Sequence, residues 1–431
     1  MHHVFGRFVG RFAFLGAVLA AGIGCVEAPA TPPEPSASST SPTRPGAKVL
    51  ADRGFDLLAG QRVGLIVNHT AVIDTVHLID RVAAHPDVTL TALFGPEHGL
   101  RGTADAGEKV DDGLDDRTGV PVYSLYGATR KPAPESLAGL DVLVFDIQDI
   151  GARFYTYIST MGLSMQAAAE AGLPFVVLDR PNPLGGTQVD GFVLEPAHTS
   201  FVGQYPIPIQ HGMTVGELAQ MIQGEGWLPG LDSLDLRVVP VAGWQRAQRW
   251  PDTGLSWIPP SPNIPDFETA LVYPGTCFFE ATAASEGRGT YAPFVQVGAP
   301  WAEAEALART LNAQDLPGVT FEAASFTPAS IDGMASSPKL QGETVQGVRL
   351  RVTDAATFRP VVAGLHVLDT FAREAGEGAF LTRPDWLTRL AGTERLGLMM
   401  DEGRSVEAIV AAWADETERF LADRQPYLLY D

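Results

Sequence analysis

The chain has 431 residues, 45% of them hydrophobic, with 51 acidic against 30 basic side chains and a formal net charge of -21. That balance repels a phosphate backbone and a bare anionic surface, which argues against nucleic acid as a partner. The length is enough for one large or two ordinary domains with ample burial.

Arg7 and Arg11 precede an apolar run from Phe12 to Gly24 that is too short for a permanent membrane span. Residues 1–24 therefore read as a signal peptide. The run ends in Ala21-Gly22-Ile23-Gly24-Cys25, which looks like a bacterial lipobox with Gly22 where Leu is usual, so Cys25 is the expected lipidation site. Residues 25–48 are mostly Ala, Pro, Ser, Thr and Glu, a composition that buries no core and behaves as a tether, with folding expected from Val49. The expected product is an exported lipoprotein on the periplasmic or cell-surface side of a bacterial membrane. After Cys25 only Cys277 remains, so the mature monomer has no internal disulfide.

Beyond the tether, short β-branched runs alternate with helical patterns. Candidate strands are Val63–Val67, Val88–Phe94, Val120–Leu125, Val142–Ile147 and Phe175–Leu178; helices fall at His77–Ala84 and Tyr155–Ala171, the latter stopped by Gly172. Such βα units predict a mostly parallel sheet covered on both faces. Polar clusters follow four of the strands: Asn68-His69, Glu97-His98, Asp146-Ile147-Gln148-Asp149 and Asp179-Arg180-Pro181-Asn182. Ligands of open parallel sheets bind beyond the carboxyl ends of the strands, so these clusters are expected to converge on one crevice. Gly95, Gly99 and Gly102 bracket Glu97, His98 and Arg101, a spacing that lets backbone approach a ligand closely. A carboxylate there serves as a general acid, a metal ligand or half of a structural ion pair.

Past Pro240 the pattern changes. Trp244, Trp250 and Trp257 lie among Pro and Gly, and 244–265 reads as an irregular segment reaching over the cleft. Helices are expected at Trp301–Asn312, Val361–Ala375 and Val406–Leu421. The domain reading is 49–240 and 241–431. No nucleophile elbow, P-loop or H-E-x-x-H motif is present, and Gly224-Glu225-Gly226 is misplaced for a dinucleotide fingerprint, so no cofactor is expected. Asp146, Asp149, His98 and His211 lack the tight spacing of a recognised metal site, and no metal is assigned.

Several stretches resemble the NamZ family of exo-β-N-acetylmuramidases: Gly64–Thr70, Phe94–Gly99 with Arg101-Gly102, Asp146–Tyr157, Leu178–Gly186, Gln210–Thr214, Ser261–Pro265 and Ser285–Thr290. The resemblance implies a Rossmann-like domain packed on a smaller α/β C-terminal domain with the active site in the cleft between them. It also implies release of terminal N-acetylmuramic acid from the non-reducing ends of peptidoglycan fragments during cell-wall turnover and recycling. Carried over, Glu97 is the leading catalytic residue. One departure shows: Ala281 and Ala283 stand where Gly and Asn are expected.

Glycoside cleavage needs an acid for the leaving oxygen and a second group at the anomeric carbon, so Glu97 is assigned as acid with His98 beside it. For the second group Glu286 ranks ahead of Asp146 and Asp149, and a route through the sugar's own N-acetyl group stays open. Muramic acid carries a lactyl carboxylate, which calls for arginine; Arg101, Arg153, Arg180 and Arg288 lie in the motifs. Asn68, Asp146, Asp149, Tyr157, Asp179, Asn182, His211 and Asn263 complete the expected substrate-binding set. Two rival readings are a non-catalytic, lipid-anchored muropeptide receptor and a metal-dependent hydrolase using His98, Asp146 and His211.

Overall fold

The structure, a computed structural model, describes residues 42–97, 99–100, 112–127, 129–376, 378 and 380–431. The signal peptide, Cys25, His98 and Arg101 lie outside the described residues. Among the described residues no helix is long and apolar enough to cross a membrane.

Seven strands build the first sheet: β1 Arg62–Val67, β2 Thr89–Gly95, β3 Gly113–Leu114, β4 Pro121–Ser124, β5 Val142–Asp146, β6 Phe175–Leu178 and β7 Leu236–Val239. Their order is β3-β4-β2-β1-β5-β6-β7, and all pairs are parallel except β3 with β4. Without the two-residue β3, this is the doubly wound Rossmann order, reversing between β1 and β5. Alternate side chains sort cleanly. Val63, Leu65 and Val67 of β1 join Val142 and Val144 of β5 in one apolar cluster, while Ile66, Leu143 and Phe145 face the other. The first cluster is roofed by α1 (Gly46–Asp52) and α2 (Leu78–Ala83), the second by α3 (Tyr157–Ala171) and α4 (Val215–Gly224). The fold thus begins before Val49: Arg44 pairs its backbone with Ala242, and a Cβ on Gly46 would lie 2.3 Å from the Val239 carbonyl oxygen.

The cluster under α3 continues into the C-terminal half. There α5 (Phe267–Thr276), α6 (Ala304–Asn312) and α7 (Pro360–Ala375) flank an antiparallel sheet, order β8-β10-β9, of β8 Gln296–Ala299, β9 Val319–Phe326 and β10 Val345–Val352. Helices α5 and α7 cross where Gly275 meets Gly364; a Cβ on Gly275 would stand 2.0 Å from the Pro360 carbonyl oxygen. The next helices are α8 (Pro384–Ala391) and α9 (Arg395–Asp401). The single terminal helix expected at Val406–Leu421 is instead two, α10 (Val406–Ala411) and α11 (Ala414–Asp423). The break lets Trp413 turn inward, 2% exposed, edge-on to Phe192.

Candidate active site

Beyond the carboxyl ends of the first sheet's strands opens a cleft of about 1120 Å³, walled on the other side by the C-terminal half. Glu97 stands in it just after β2. Thr156 occupies the residue before α3, but its hydroxyl caps no helix; it donates to Glu97 Oε2 at 2.9 Å. The amino end of α3 therefore faces the Glu97 side chain. Tyr126 lies alongside, its phenol pushed up to about 12 by burial and by the Glu97 carboxylate. A turn makes this approach possible. Gly99 has φ 71°, and a Cβ on Gly95 would crowd the Leu100 amide nitrogen at 3.2 Å.

The floor is aromatic. Tyr155 and Tyr157 meet edge to face at 5.0 Å between ring centroids, and Tyr273 meets Phe294 at 4.7 Å. Burial drives the Tyr155, Tyr157 and Tyr273 phenols well above their usual range, so they remain neutral donors. Burial likewise pushes up the Cys277 thiol on the same floor. Tyr157 donates to the Pro260 carbonyl at 2.6 Å, which holds the irregular segment of 244–265 over the cleft. Two buried atoms on the wall, Tyr155 Oη and Asn263 Oδ1, meet no hydrogen-bond partner among the described residues. One donor and one acceptor left in this way suit the hydroxyl groups of a bound ligand.

The far wall is a chain of charges. Arg288 Nη2 donates to Glu280 at 2.9 Å, its Nε lies 3.7 Å from Glu286, and Lys339 Nζ lies 2.8 Å from the other Glu286 oxygen. Burial alone would pull the Arg288 guanidinium down, but Glu280 and Glu286 outweigh it and hold the proton more firmly than usual. Trp386 Nε1 donates to Glu280 at 3.1 Å, so an indole lines the same wall.

Of the side chains expected from sequence, Glu97, Tyr157, Asn263, Glu286 and Arg288 line this cleft. Others do not. Asp146 spends both oxygens on the Arg180 fork, at 2.5 and 3.0 Å. Arg153, fully buried, donates to the carbonyls of Phe192, Ile207 and Leu390 and braces the two halves. Asp179 accepts from Thr214, from the Gly216 amide and from the Tyr430 hydroxyl. Asn182 bonds the Met213 carbonyl and the Leu184 amide, and Asn68 accepts from Thr70. His211 Nδ1 accepts the Met213 amide at 3.2 Å, leaving Nε2 4.0 Å from Asp149, which itself holds the Gly151 amide. These seven residues, Asn68, Asp146, Asp149, Arg153, Asp179, Asn182 and His211, shape the loops behind the cleft. The bonds they make here are to the protein itself, so in this structure they act on the cleft through the loops they hold. Among the described residues no group of three or more His, Cys, Asp or Glu is arranged to hold a metal ion. Ala281 and Ala283 do not line the cleft either; their backbones pair with Thr382 and Phe380.

Sequence reasoning missed Tyr126, Arg130, Thr156, Lys339 and Trp386, all of which line the cleft. Thr156 lay inside a quoted motif. Tyr126 and Arg130 follow β4 in a segment of ordinary composition, and Lys339 and Trp386 are brought in by the packing of the C-terminal half.

A doubly wound sheet whose switch-point crevice combines carboxylates, aromatic faces and unspent hydroxyl-binding atoms defines a carbohydrate-type α/β cleft. The chain belongs to the NamZ family: the models described as exo-beta-N-acetylmuramidase NamZ, N-terminal and C-terminal, match residues 63–268 and 271–430. It is 45% identical over 404 residues to the peptidoglycan beta-N-acetylmuramidase NamZ of Bacillus subtilis (strain 168), covering 92% of this chain and 95% of that protein. Two crystal structures of DUF1343 family proteins from Bacteroides fragilis NCTC 9343 share the fold. One has a TM-score of 0.83 at 39% identity, covering 90% of this chain and 99% of its own; the other has 0.73 at 34%, covering 91% and 99%.

Proposed function

We infer that this protein is an exo-acting glycoside hydrolase that releases terminal, non-reducing β-N-acetylmuramic acid from peptidoglycan fragments, with Glu97 as its general acid. The observation that carries the reading is Glu97 itself, a carboxyl group just past the carboxyl end of β2, oriented by the Thr156 hydroxyl inside a cleft with aromatic walls. Thr156 holds one oxygen of this carboxyl group, and as general acid the group passes a proton to a glycosidic oxygen. As that proton transfers, the bond from the anomeric carbon to oxygen breaks, positive charge grows on the sugar ring, and hydrolysis is completed when a water oxygen bonds to that carbon and gives up a proton. Glu286, seated between Arg288 and Lys339, is the described carboxylate we assign to the opposite wall, where it stabilises that charge or orients the N-acetyl group.

The test compares two leaving groups. Glu97→Gln keeps the shape but gives no proton, so hydrolysis of a β-N-acetylmuramyl-N-acetylglucosamine disaccharide should fall by at least ~10³-fold. An aryl glycoside with an acidic phenol, which departs with little protonation, should lose far less. Equal losses on both substrates, or none, would remove Glu97 from the acid's role.

We also propose export and anchoring through Cys25, supported by the lipobox-like run and by the extracytoplasmic place of peptidoglycan. Wild type should partition into detergent and Cys25→Ser into the aqueous phase; identical partitioning would refute the anchor.

A further inference from the structure

Hydrolysis of muramic in preference to glucosamine ends requires something that reads the 3-O-lactyl group, whose carboxylate hangs from the same ring that presents its anomeric carbon to Glu97. The cation for that task must stand on the Glu97 side of the cleft and must not be spent on the protein's own acids. Arg153 and Arg180 fail on both counts, since neither lines the cleft and each is committed to backbone carbonyls or to Asp146. Arg288 and Lys339 line it but are held by Glu280 and Glu286 on the far wall. Arg383 lies over Trp386, and Arg389 shares helix α8 with Trp386, so both belong to that same wall.

Arg130 meets both conditions. It lines the cleft with Glu97 and Tyr126, and its charge acts on the Tyr126 phenol from which Glu97 is also felt. Its guanidinium lies 4.2 Å from the centroid of the Phe201 ring, and Phe201 in turn packs on Tyr126 at 6.1 Å. A guanidinium held against an aromatic ring can still offer N–H groups at its edge to an anion. Among the described residues no carboxylate pairs with it. An exposed guanidinium in the same cleft as the catalytic carboxyl can take a carboxylate through two parallel hydrogen bonds.

We propose that Arg130 is a specificity-determining residue that binds the lactyl carboxylate of the terminal N-acetylmuramic acid. The inference rests on the muramidase reading and adds the residue that distinguishes the sugar.

The experiment uses the full chain and two aryl β-muramides, one with the free lactyl carboxylate and one with the lactyl carboxamide. Arg130→Met should lower kcat/KM for the acid by roughly 10- to 100-fold, mainly through KM, and change the amide by less than about twofold. Arg130→Lys should recover part of the loss, because it restores charge without the fork. Equal loss on acid and amide, or no loss on either, overturns the assignment. Binding of free N-acetylmuramic acid and N-acetylglucosamine, measured by calorimetry on Glu97→Gln with and without Arg130→Met, reads the same contact without turnover. If wild type cleaves neither muramide, the hydrolase reading falls, and this binding arm still decides Arg130: a muramic preference erased by Arg130→Met supports it, and an undiminished one refutes it.

Discussion

Buried polar side chains behind the cleft carry as much of the design as those lining it, and Asp149 shows how. Burial raises its carboxyl to about 7, the Gly151 amide offsetting only part of that shift. Its neighbour His211 is lowered to about 3 by burial and by Arg424 and Arg153, so the imidazole stays neutral with Nε2 facing Asp149. The sign of the linkage follows. Between the unfolded value near 3.8 and the folded value near 7, the native state holds the Asp149 proton more tightly than the unfolded chain does, so this group's stabilising contribution is full below the unfolded value and is lost as pH rises through the folded one. Asp149→Asn has no proton to lose. Relative to wild type it should gain about 2 to 3 kcal/mol in unfolding free energy between pH 5 and pH 8, read from urea titrations at the two pH values. A constant difference between the two proteins would show that Asp149 ionises in the fold as it does in the open chain.

At the level of elements, the strands of the first sheet were legible because a parallel strand buried on both faces reads as an unbroken apolar run. The stretches expected at Val63–Val67 and Phe175–Leu178 match β1 and β6 almost residue for residue. Helix α3 was legible for a related reason: its small and apolar residues persist for four turns and Gly172 closes it with φ 67°. Strand β7 was not, since Leu236-Arg237-Val238-Val239 is a short edge strand with a charge in its middle. The site divides along the same line. Polar residues after a strand are all candidates in the sequence, but only packing decides which turn toward the crevice. Asp146 and Glu97 both follow or end a strand of the sheet; Asp146 meets the Arg180 fork behind the cleft, whereas Glu97 meets the Thr156 hydroxyl and lines it. Arginine pairing partners more than 30 residues away leave no local signal, which is why Arg180 and Arg153 resembled ligand-binding residues until their carbonyls and carboxylate were known.

Across the whole molecule, the cleft keeps its shape only if the halves matched by the two family models hold a fixed relation, and several contacts enforce one. The apolar cluster beneath α3 runs without interruption from Phe145 and Met161 to Val348 and Phe371. Arg153 ties the first sheet's loops to the Leu390 carbonyl of α8. At the C-terminus Arg424 donates to the carbonyls of His211, Gly212 and Gly186, Leu429 donates its amide to Glu217, and Tyr430 reaches Asp179. These last residues thus satisfy buried acids and carbonyls in the first half, groups that would cost about 1–3 kcal/mol each if left bare. A shared core and such ties make independent unfolding of either half expensive, because each exposes apolar surface and unpaired polar atoms of the other. Residues 42–431 should therefore melt in one transition, with calorimetric and van't Hoff enthalpies in agreement. Arg424→Met, which removes three bonds to first-half carbonyls, should lower the midpoint by several degrees while keeping it single. Two resolved transitions in wild type, with only one of them moved by the substitution, would mean that the halves are coupled too weakly to hold Glu97 and Glu286 in register across the cleft.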